Sequence, residues 1–170
     1  MEMNEPFLDN NFINFNLNNF ADFTPSFNTK LTCLYFNARS IRNKWDTILS
    51  SLENLKIRCN IIVITETWLY QNEIEFFQIP GYNSFFNSRD SRQGGGTAIF
   101  IQNDFNASLK LSAKDFNTQI IEIECPSKEK YNIYCIYRPE GNLENFLNLM
   151  EENLNIITPK KIYRSWRFQS

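Results

Sequence analysis

An acidic residue, Glu66, follows directly on the apolar run Ile61-Ile62-Val63-Ile64-Thr65. A short apolar run of this kind predicts a buried strand, and open α/β sheets bind their ligands beyond the carboxyl ends of the strands. A carboxylate at such a place suits Mg²⁺, which keeps several waters and needs only one or two protein carboxylates. Glu66 is therefore a candidate metal ligand. The alternative is a surface acid that simply flanks a strand.

Two further polar side chains stand at the ends of predicted strands. Asn37 ends the run Leu31–Asn37, and its amide could orient a phosphate oxygen or hold a metal-binding carboxylate. Tyr137 closes a third run, where its hydroxyl could support a phosphate and Arg138 could pair with that phosphate bidentately. The alternatives are an asparagine that starts a turn and an ordinary aromatic residue at a strand end.

The composition excludes several other chemistries, because none of the 170 residues is histidine. A Ser-His-Asp or Cys-His triad, a histidine-ligated zinc and an imidazole general base are all ruled out. The four cysteines form no C-x-x-C pair, which indicates a reduced, intracellular protein without a zinc knuckle. Any catalysis must use carboxylates, amides, tyrosine, lysine or a bound metal.

Length and charge favour one domain with no membrane span. A chain of 170 residues that is 42% hydrophobic is long enough to bury a sizeable core. The net charge of −2 does not mark a generic nucleic-acid binder. Apolar runs stay well short of a membrane span, and the acidic N-terminus does not resemble a secretory signal.

The candidate residues are positioned by a predicted strand-helix-strand unit. The strand over 31–37 leads to Ser40, a possible helix cap, and to apolar residues at helical spacing over 41–57. The strand over 61–65 completes the unit, so its two strands should be parallel.

Shorter strands and a second helix follow. Strands are predicted over 83–87, 97–102 and near 107–111, with a hairpin formed by 119–125 and 131–137. Gly94-Gly95-Gly96 is interpreted as a tight bend rather than a phosphate cradle, because a strand and not a helix follows it. Asn142 should cap a helix over 143–157. The whole describes a layered α/β domain.

The two ends of the chain differ from the predicted domain. Residues 1–30 are rich in asparagine and phenylalanine, which is typical of a disordered leader. The alternative is a segment that docks on a partner through its phenylalanines. Residues 159–170 form a basic tail. It is either a nucleic-acid patch or sequence unrelated to the domain after a truncation. Its bases are Lys160, Lys161, Arg164 and Arg167.

Taken in order, five short strings resemble one known family. They are Asn37-Ala38-Arg39-Ser40, Ile64-Thr65-Glu66-Thr67-Trp68-Leu69, Ile79-Pro80-Gly81-Tyr82, Ser91-Arg92-Gln93-Gly94-Gly95-Gly96-Thr97-Ala98 and Ile136-Tyr137-Arg138-Pro139. Over residues 31–158 the chain looks like the front part of the endonuclease domain of non-LTR (LINE-type) retrotransposon polyproteins. That domain belongs to the endonuclease/exonuclease/phosphatase superfamily and resembles apurinic/apyrimidinic (AP) endonucleases.

The resemblance implies a fold, a reaction and a set of roles. The fold would be an incomplete four-layer α/β sandwich of two packed mixed sheets flanked by helices. The parent protein would nick DNA in the nucleus to prime reverse transcription, using Mg²⁺ or alternatively Mn²⁺. Glu66 would be a metal ligand, Asn37 would organise metal and phosphate, and Tyr137 would contact the scissile phosphate. Arg39 and Arg138 would lie near the DNA backbone.

The sequence also departs from that family. A Gly-Asp-Phe-Asn motif should follow the last predicted helix, and a terminal Ser-Asp-His motif should supply a catalytic histidine; neither is present. We therefore expect a fragment of a DNA endonuclease domain that is inactive alone. The alternatives are a nuclease that borrows groups from another chain and a non-catalytic nucleic-acid-binding module. Target-site preference and oligomeric state do not follow from the sequence.

Overall fold

A computed structural model describes residues 31–54, 58–88, 94–114, 117–137 and 143–156 of the chain. Within them lie β1 (Cys33–Asn37), α1 (Trp45–Glu53), β2 (Ile61–Thr65), β3 (Tyr82–Asn87), β4 (Thr97–Gln102), β5 (Asn106–Ala113), β6 (Thr118–Glu124), β7 (Lys130–Ile136) and α2 (Leu143–Ile156). Short 3₁₀ turns cover Arg42–Lys44 and Ile74–Phe76. The leader, the basic tail and Arg138 lie outside the described residues.

The first sheet is mixed and has the strand order β1-β2-β4-β3. β1 and β2 are parallel, whereas β4 runs antiparallel to both β2 and β3. The parallel pair with α1 between its strands confirms the predicted strand-helix-strand unit. Its register pairs Asn37 with Thr65, so Asn37 and Glu66 emerge side by side at one edge of the sheet.

The second sheet has the order β5-β6-β7 and is antiparallel throughout the described strands. It contains the predicted hairpin, formed by β6 and β7. Two packed sheets with helices confirm the fold class, an incomplete α/β sandwich. In the described part only the first sheet is mixed, because the second is built from consecutive strands with short connections, and these pair antiparallel.

The core consists of two apolar layers that meet at β2 and β4. Ile62, Ile64 and Phe100 face α1 and pack with Trp45, while Ile61, Val63, Ile99 and Ile101 face the second sheet. Both faces of these strands are buried, which explains their uninterrupted apolar sequences. Burying each large aliphatic or aromatic side chain contributes about 1.5 to 3 kcal/mol. The two layers therefore hold β2 firmly, and with it the backbone that leads into Glu66.

The first helix is shorter than predicted. The chain forms a 3₁₀ turn at Arg42–Lys44 before α1 begins at Trp45, and residues 55–57 lie outside the described part. Ser40 is not the helix cap. It has φ 74° and its backbone N–H donates to the Glu66 carbonyl, so contact with the neighbouring loop displaces the capping geometry. The second helix begins at Leu143 as predicted, although Asn142 lies outside the described residues.

No helix within the described residues is long and apolar enough to cross a membrane.

The glycine bend before β4 is required by a close approach of two loops. All three glycines have positive φ, between 72° and 98°. A Cβ on Gly96 would lie only 2.5 Å from Thr67 Oγ1, whereas a Cβ on Gly94 would find its nearest neighbour, Trp68 Nε1, at 3.9 Å. Glycine is thus needed at 96 both for its backbone conformation and for space.

Gly94 and Gly96 make a matched pair for mutation. Gly94→Ala should cost roughly 1 to 2 kcal/mol, the penalty of a left-handed L-residue. Gly96→Ala should cost that and about 1 to 3 kcal/mol more, since the added methyl overpacks Thr67. Urea unfolding of both variants measures the difference. Equal losses would contradict the close packing of Gly96 on Thr67.

Candidate active site

Asn37 and Glu66 form the first half of the candidate site, at the carboxyl ends of the parallel strands. Asn37 is the last residue of β1, and Glu66 follows the last residue of β2. The Asn37 Nδ2 group donates a hydrogen bond of 2.6 Å to Glu66 Oε1. The Asn37 Oδ1 atom in turn accepts from the backbone N–H of Arg39 at 3.1 Å. The amide is therefore held at both ends and orients the carboxylate.

Tyr137 brings the second sheet to the same carboxylate. It follows β7, and its hydroxyl donates to Glu66 Oε1 at 2.9 Å across 71 positions of sequence. One oxygen of Glu66 thus accepts from both Asn37 and Tyr137. Hydrogen bonds to an ionised carboxylate are shorter and stronger than neutral ones. The structure brings together the three residues that the sequence singled out, and their chemical roles stay predictions.

The backbone around these residues departs from ordinary strand geometry. Glu66 and Trp68 have φ 56° and 57°, and Arg39 and Ser40 have φ 44° and 74°. Non-glycine residues in this region cost of the order of 1 to 3 kcal/mol each and persist where the surroundings hold them, often at functional sites. Here the two loops exchange backbone hydrogen bonds. Ala38 N–H donates to Thr65 O at 2.9 Å, and Ser40 N–H donates to Glu66 O at 2.9 Å.

The predicted DNA-contacting arginines are not placed by side-chain contacts. Arg39 is exposed beside the cluster and touches it through its backbone N–H, which donates to Asn37. Arg138 lies outside the described residues. A role for either guanidinium at the DNA backbone remains a prediction.

A clamp that sequence reasoning missed joins the two loops of the site. Arg42 donates from Nε to Glu73 Oε1 at 2.7 Å and from Nη2 to Glu73 Oε2 at 2.5 Å. Glu73 Oε2 also accepts from the backbone N–H of Tyr70 at 2.7 Å, and the Arg42 guanidinium lies 5.1 Å from the centre of the Tyr70 ring. Arg42 and Glu73 are 31 residues apart, so a local sequence pattern does not predict their contact.

The Glu66 carboxylate offers oxygen ligands for a metal ion. Within the described residues no cluster of three or more histidine, cysteine, aspartate or glutamate side chains is placed to hold an ion. Glu66 supplies one carboxylate, which is the minimum for Mg²⁺ because that ion keeps several waters and also binds substrate phosphate. The residues present therefore fit a water-rich Mg²⁺ site, and they do not fit a zinc site built on nitrogen or sulfur.

The buried cysteines do not contribute a nucleophile or a thiolate ligand. Burial raises the pKa of the Cys135 thiol to about 12 and that of the Cys59 thiol to about 11. Both thiols are therefore protonated at neutral pH, whereas the thiolate is the reactive and metal-binding form. They behave as small apolar side chains, as expected for free cysteine in a core.

Solved structures share this architecture. The AP endonuclease LMAP from Leishmania major superimposes with a TM-score of 0.54 at 12% identity, over 86% of this chain and 56% of that one. The catalytic domain of APE2 from Xenopus laevis superimposes with a TM-score of 0.51 at 17% identity, over 74% of this chain and 55% of that one.

The chain has the fold of the AP endonucleases. This fold agrees with the incomplete α/β sandwich expected from the sequence motifs. At these identities the likeness establishes the fold alone, and the chain spans about half the length of the structures it matches. No protein-family model and no curated protein matches the sequence.

The Arg42–Glu73 clamp makes the stability of the site loops depend on pH. The guanidinium of Arg42, which hydrogen-bonds the carboxylate, holds the pKa of Glu73 below its usual range. Because folding lowers this pKa, the stabilisation is complete above the unfolded-state pKa of about 4.3 and is lost as pH falls through the lower folded value.

We expect Glu73→Gln to lose about 1 kcal/mol or less at pH 7, since the pair is about one-third exposed. The difference from wild type should vanish in acid. Urea unfolding at pH 7 and in a series below pH 5 measures it. Glu75→Gln, an exposed acid in the adjoining 3₁₀ turn, is the control and should change little. A Glu73 effect that is the same at every pH would contradict the clamp.

Proposed function

We propose that this chain is part of a Mg²⁺-dependent DNA endonuclease domain of the kind found in non-LTR retrotransposon polyproteins. The observation that carries the proposal is the Glu66 carboxylate, oriented by Asn37 and Tyr137 at the strand ends of an AP endonuclease fold. The structurally similar proteins from Leishmania major and Xenopus laevis are an AP endonuclease and APE2. They support DNA as the substrate of the complete domain.

Each residue of the cluster would have a separate role at a phosphodiester. Mg²⁺, when bound, polarises a phosphoryl oxygen and lowers the pKa of bound water. Glu66 would hold the ion, with Asn37 fixing the orientation of its carboxylate. The hydroxyl of Tyr137 has a single proton, which it donates to Glu66 in this structure, so it would turn from that carboxylate to donate to a phosphate oxygen that gains negative charge during reaction. Mn²⁺, with similar oxygen preferences, would occupy the same place.

The described cluster is only part of a hydrolytic site. The sequence contains no histidine, and the cluster supplies one carboxylate. Hydrolysis also needs a group that accepts a proton from water and donors for the leaving oxygen. We expect additional sequence to supply these groups, and we expect the chain alone not to cut DNA.

The retrotransposon origin rests on the order of the sequence strings, and genomic sequence tests it. A Gly-Asp-Phe-Asn string encoded in any frame after Ser170, followed by a reverse-transcriptase region, would support that origin. A coding sequence that continues into an unrelated domain would contradict it.

Metal binding by the chain itself gives a direct test. Mg²⁺ should bind weakly to the wild-type chain, and Glu66→Gln should weaken binding at least about tenfold, because loss of one charged ligand contact removes over 1 kcal/mol. NMR titration with Mg²⁺ measures both, and shifts should centre on residues 36–38 and 64–68. Glu75→Gln, which changes an exposed acid that is not one of the three cluster residues, is the matched control and should bind like wild type. Equal affinity in the Glu66 and Glu75 variants would contradict the assignment.

Nicking of supercoiled plasmid in Mg²⁺ tests the chemistry. The purified chain should leave the plasmid intact, because the rest of the hydrolytic site is not supplied. Nicking that Glu66→Ala abolishes would show that the chain suffices and would overturn the expected inactivity. Salt-dependent DNA binding that Glu66→Ala leaves unchanged, with no Mg²⁺ binding, would instead favour a non-catalytic nucleic-acid-binding module.

A further inference from the structure

We infer that Asn117 is the positioning residue that holds the two halves of the candidate site in register. One half is the loop that carries Glu66, and the other is the end of β7 that carries Tyr137. The hydrogen bonds of Asn117 to the two halves are made with the backbone N–H groups of Gly96 and Tyr137. The inference rests on the proposed function only in treating the Glu66 cluster as an active site, since the positioning itself is a property of the fold.

The side chain of Asn117 contacts the first sheet. Asn117 is fully buried, and its Oδ1 atom accepts a hydrogen bond of 2.8 Å from the backbone N–H of Gly96. The carbonyl of Gly96 accepts from the N–H of Thr67 at 3.2 Å. Thr67 is the residue after Glu66, so two hydrogen bonds connect Asn117 to the Glu66 loop. The missing Cβ of Gly96 lets the two loops approach closely enough for this path.

The backbone of Asn117 contacts the second sheet. Its carbonyl accepts a long hydrogen bond of 3.4 Å from the N–H of Tyr137. The Tyr137 hydroxyl reaches Glu66 at 2.9 Å. The contacts therefore close a ring, from Asn117 through Gly96 and Thr67 to Glu66, and back through Tyr137.

Asn117 is itself held in place by its neighbours. Its backbone N–H donates to Lys114 O at 3.2 Å. The Asn87 side chain donates from Nδ2 to Ala113 O and to Thr118 O, both at 3.1 Å, and so ties the strand ends on either side of Asn117 to β3. Asn117 has φ 43°, a conformation that asparagine adopts more readily than most residues. Few other side chains combine this backbone conformation with a short carbonyl acceptor.

Removing that acceptor should separate the halves of the site. The Gly96 N–H would be left buried without a partner, a costly state that the loop relieves by moving. Movement of this loop shifts Thr67 and hence Glu66 relative to Tyr137. The expected consequence is a loss of coupling between Glu66 and Tyr137, over and above any general loss of stability.

Asn117→Gly is the informative variant, because glycine keeps the positive φ and the backbone carbonyl while deleting the Oδ1 acceptor. A double-mutant cycle with Glu66→Ala and Tyr137→Phe, measured by urea unfolding, gives the coupling between the two side chains. The cycle is run in the wild-type chain and again in Asn117→Gly. We expect measurable coupling in the first and none in the second.

Gln119→Met is the matched control. Gln119 is also a fully buried amide between the sheets, and its Nε2 donates to Thr97 O and Oγ1, not to Gly96. This variant should lose stability yet keep the Glu66–Tyr137 coupling. Coupling that survives in Asn117→Gly, or is lost equally in Gln119→Met, would overturn the inference.

A measurement on the wild-type chain covers the case in which a variant does not unfold cooperatively. Amide hydrogen exchange should show the Gly96 and Tyr137 N–H groups protected together, and exchange of the Gly96 N–H at the rate of an exposed amide would overturn the inference. None of these experiments uses DNA or metal. A chain that fails to bind Mg²⁺ but loses the coupling in Asn117→Gly would therefore refute the proposed function and keep the role of Asn117.

Discussion

The candidate site depends on one carboxylate oxygen, Glu66 Oε1, which accepts hydrogen bonds from Asn37 on the same sheet and from Tyr137 on the other. A partly buried carboxylate is tolerated only when donors replace the water it loses. Asn37 ends β1 and Tyr137 follows β7, so both donors reach the carboxylate only when both sheets are in place. The orientation of the Glu66 carboxylate therefore depends on how the two sheets pack, and a shift of either sheet would move one of its two donors.

The contact between the sheets changes in character along its length. Away from the site it is apolar, with Ile61, Val63, Ile99, Ile121 and Ile123 buried together. At the end next to Glu66 it consists of buried amides from Asn87, Asn117 and Gln119. Apolar packing tolerates small sliding motions, whereas a hydrogen bond fixes a distance and a direction. The apolar end supplies most of the stability, and the amide end supplies the alignment that a catalytic cluster requires.

Features that depend on local sequence patterns are predicted well, whereas those that depend on contacts between residues distant in sequence are not. β2 and β4 were predicted residue for residue, because burial on both faces produces uninterrupted apolar runs. The predicted start of α1 is wrong, because the backbone of Ser40 forms a hydrogen bond with the Glu66 loop. Local residue spacing does not reveal this contact. The Arg42–Glu73 clamp and the place of Asn117 were missed for the same reason. The three site residues could be singled out because strand ends are visible in sequence, although their shared oxygen atom is not.

The chain shares its fold with an AP endonuclease at only 12% identity. The residues that specify the fold are therefore largely distinct from those that specify the cluster. A two-sheet sandwich needs only apolar residues in alternating or continuous runs, and a great many sequences satisfy that requirement. The cluster needs particular side chains at particular strand ends, and most substitutions there would leave the fold intact. The fold alone therefore carries little weight for chemistry. The proposed phosphodiester chemistry therefore rests on the convergence of Asn37, Glu66 and Tyr137 on one atom, because nothing in the packing of the sandwich demands it.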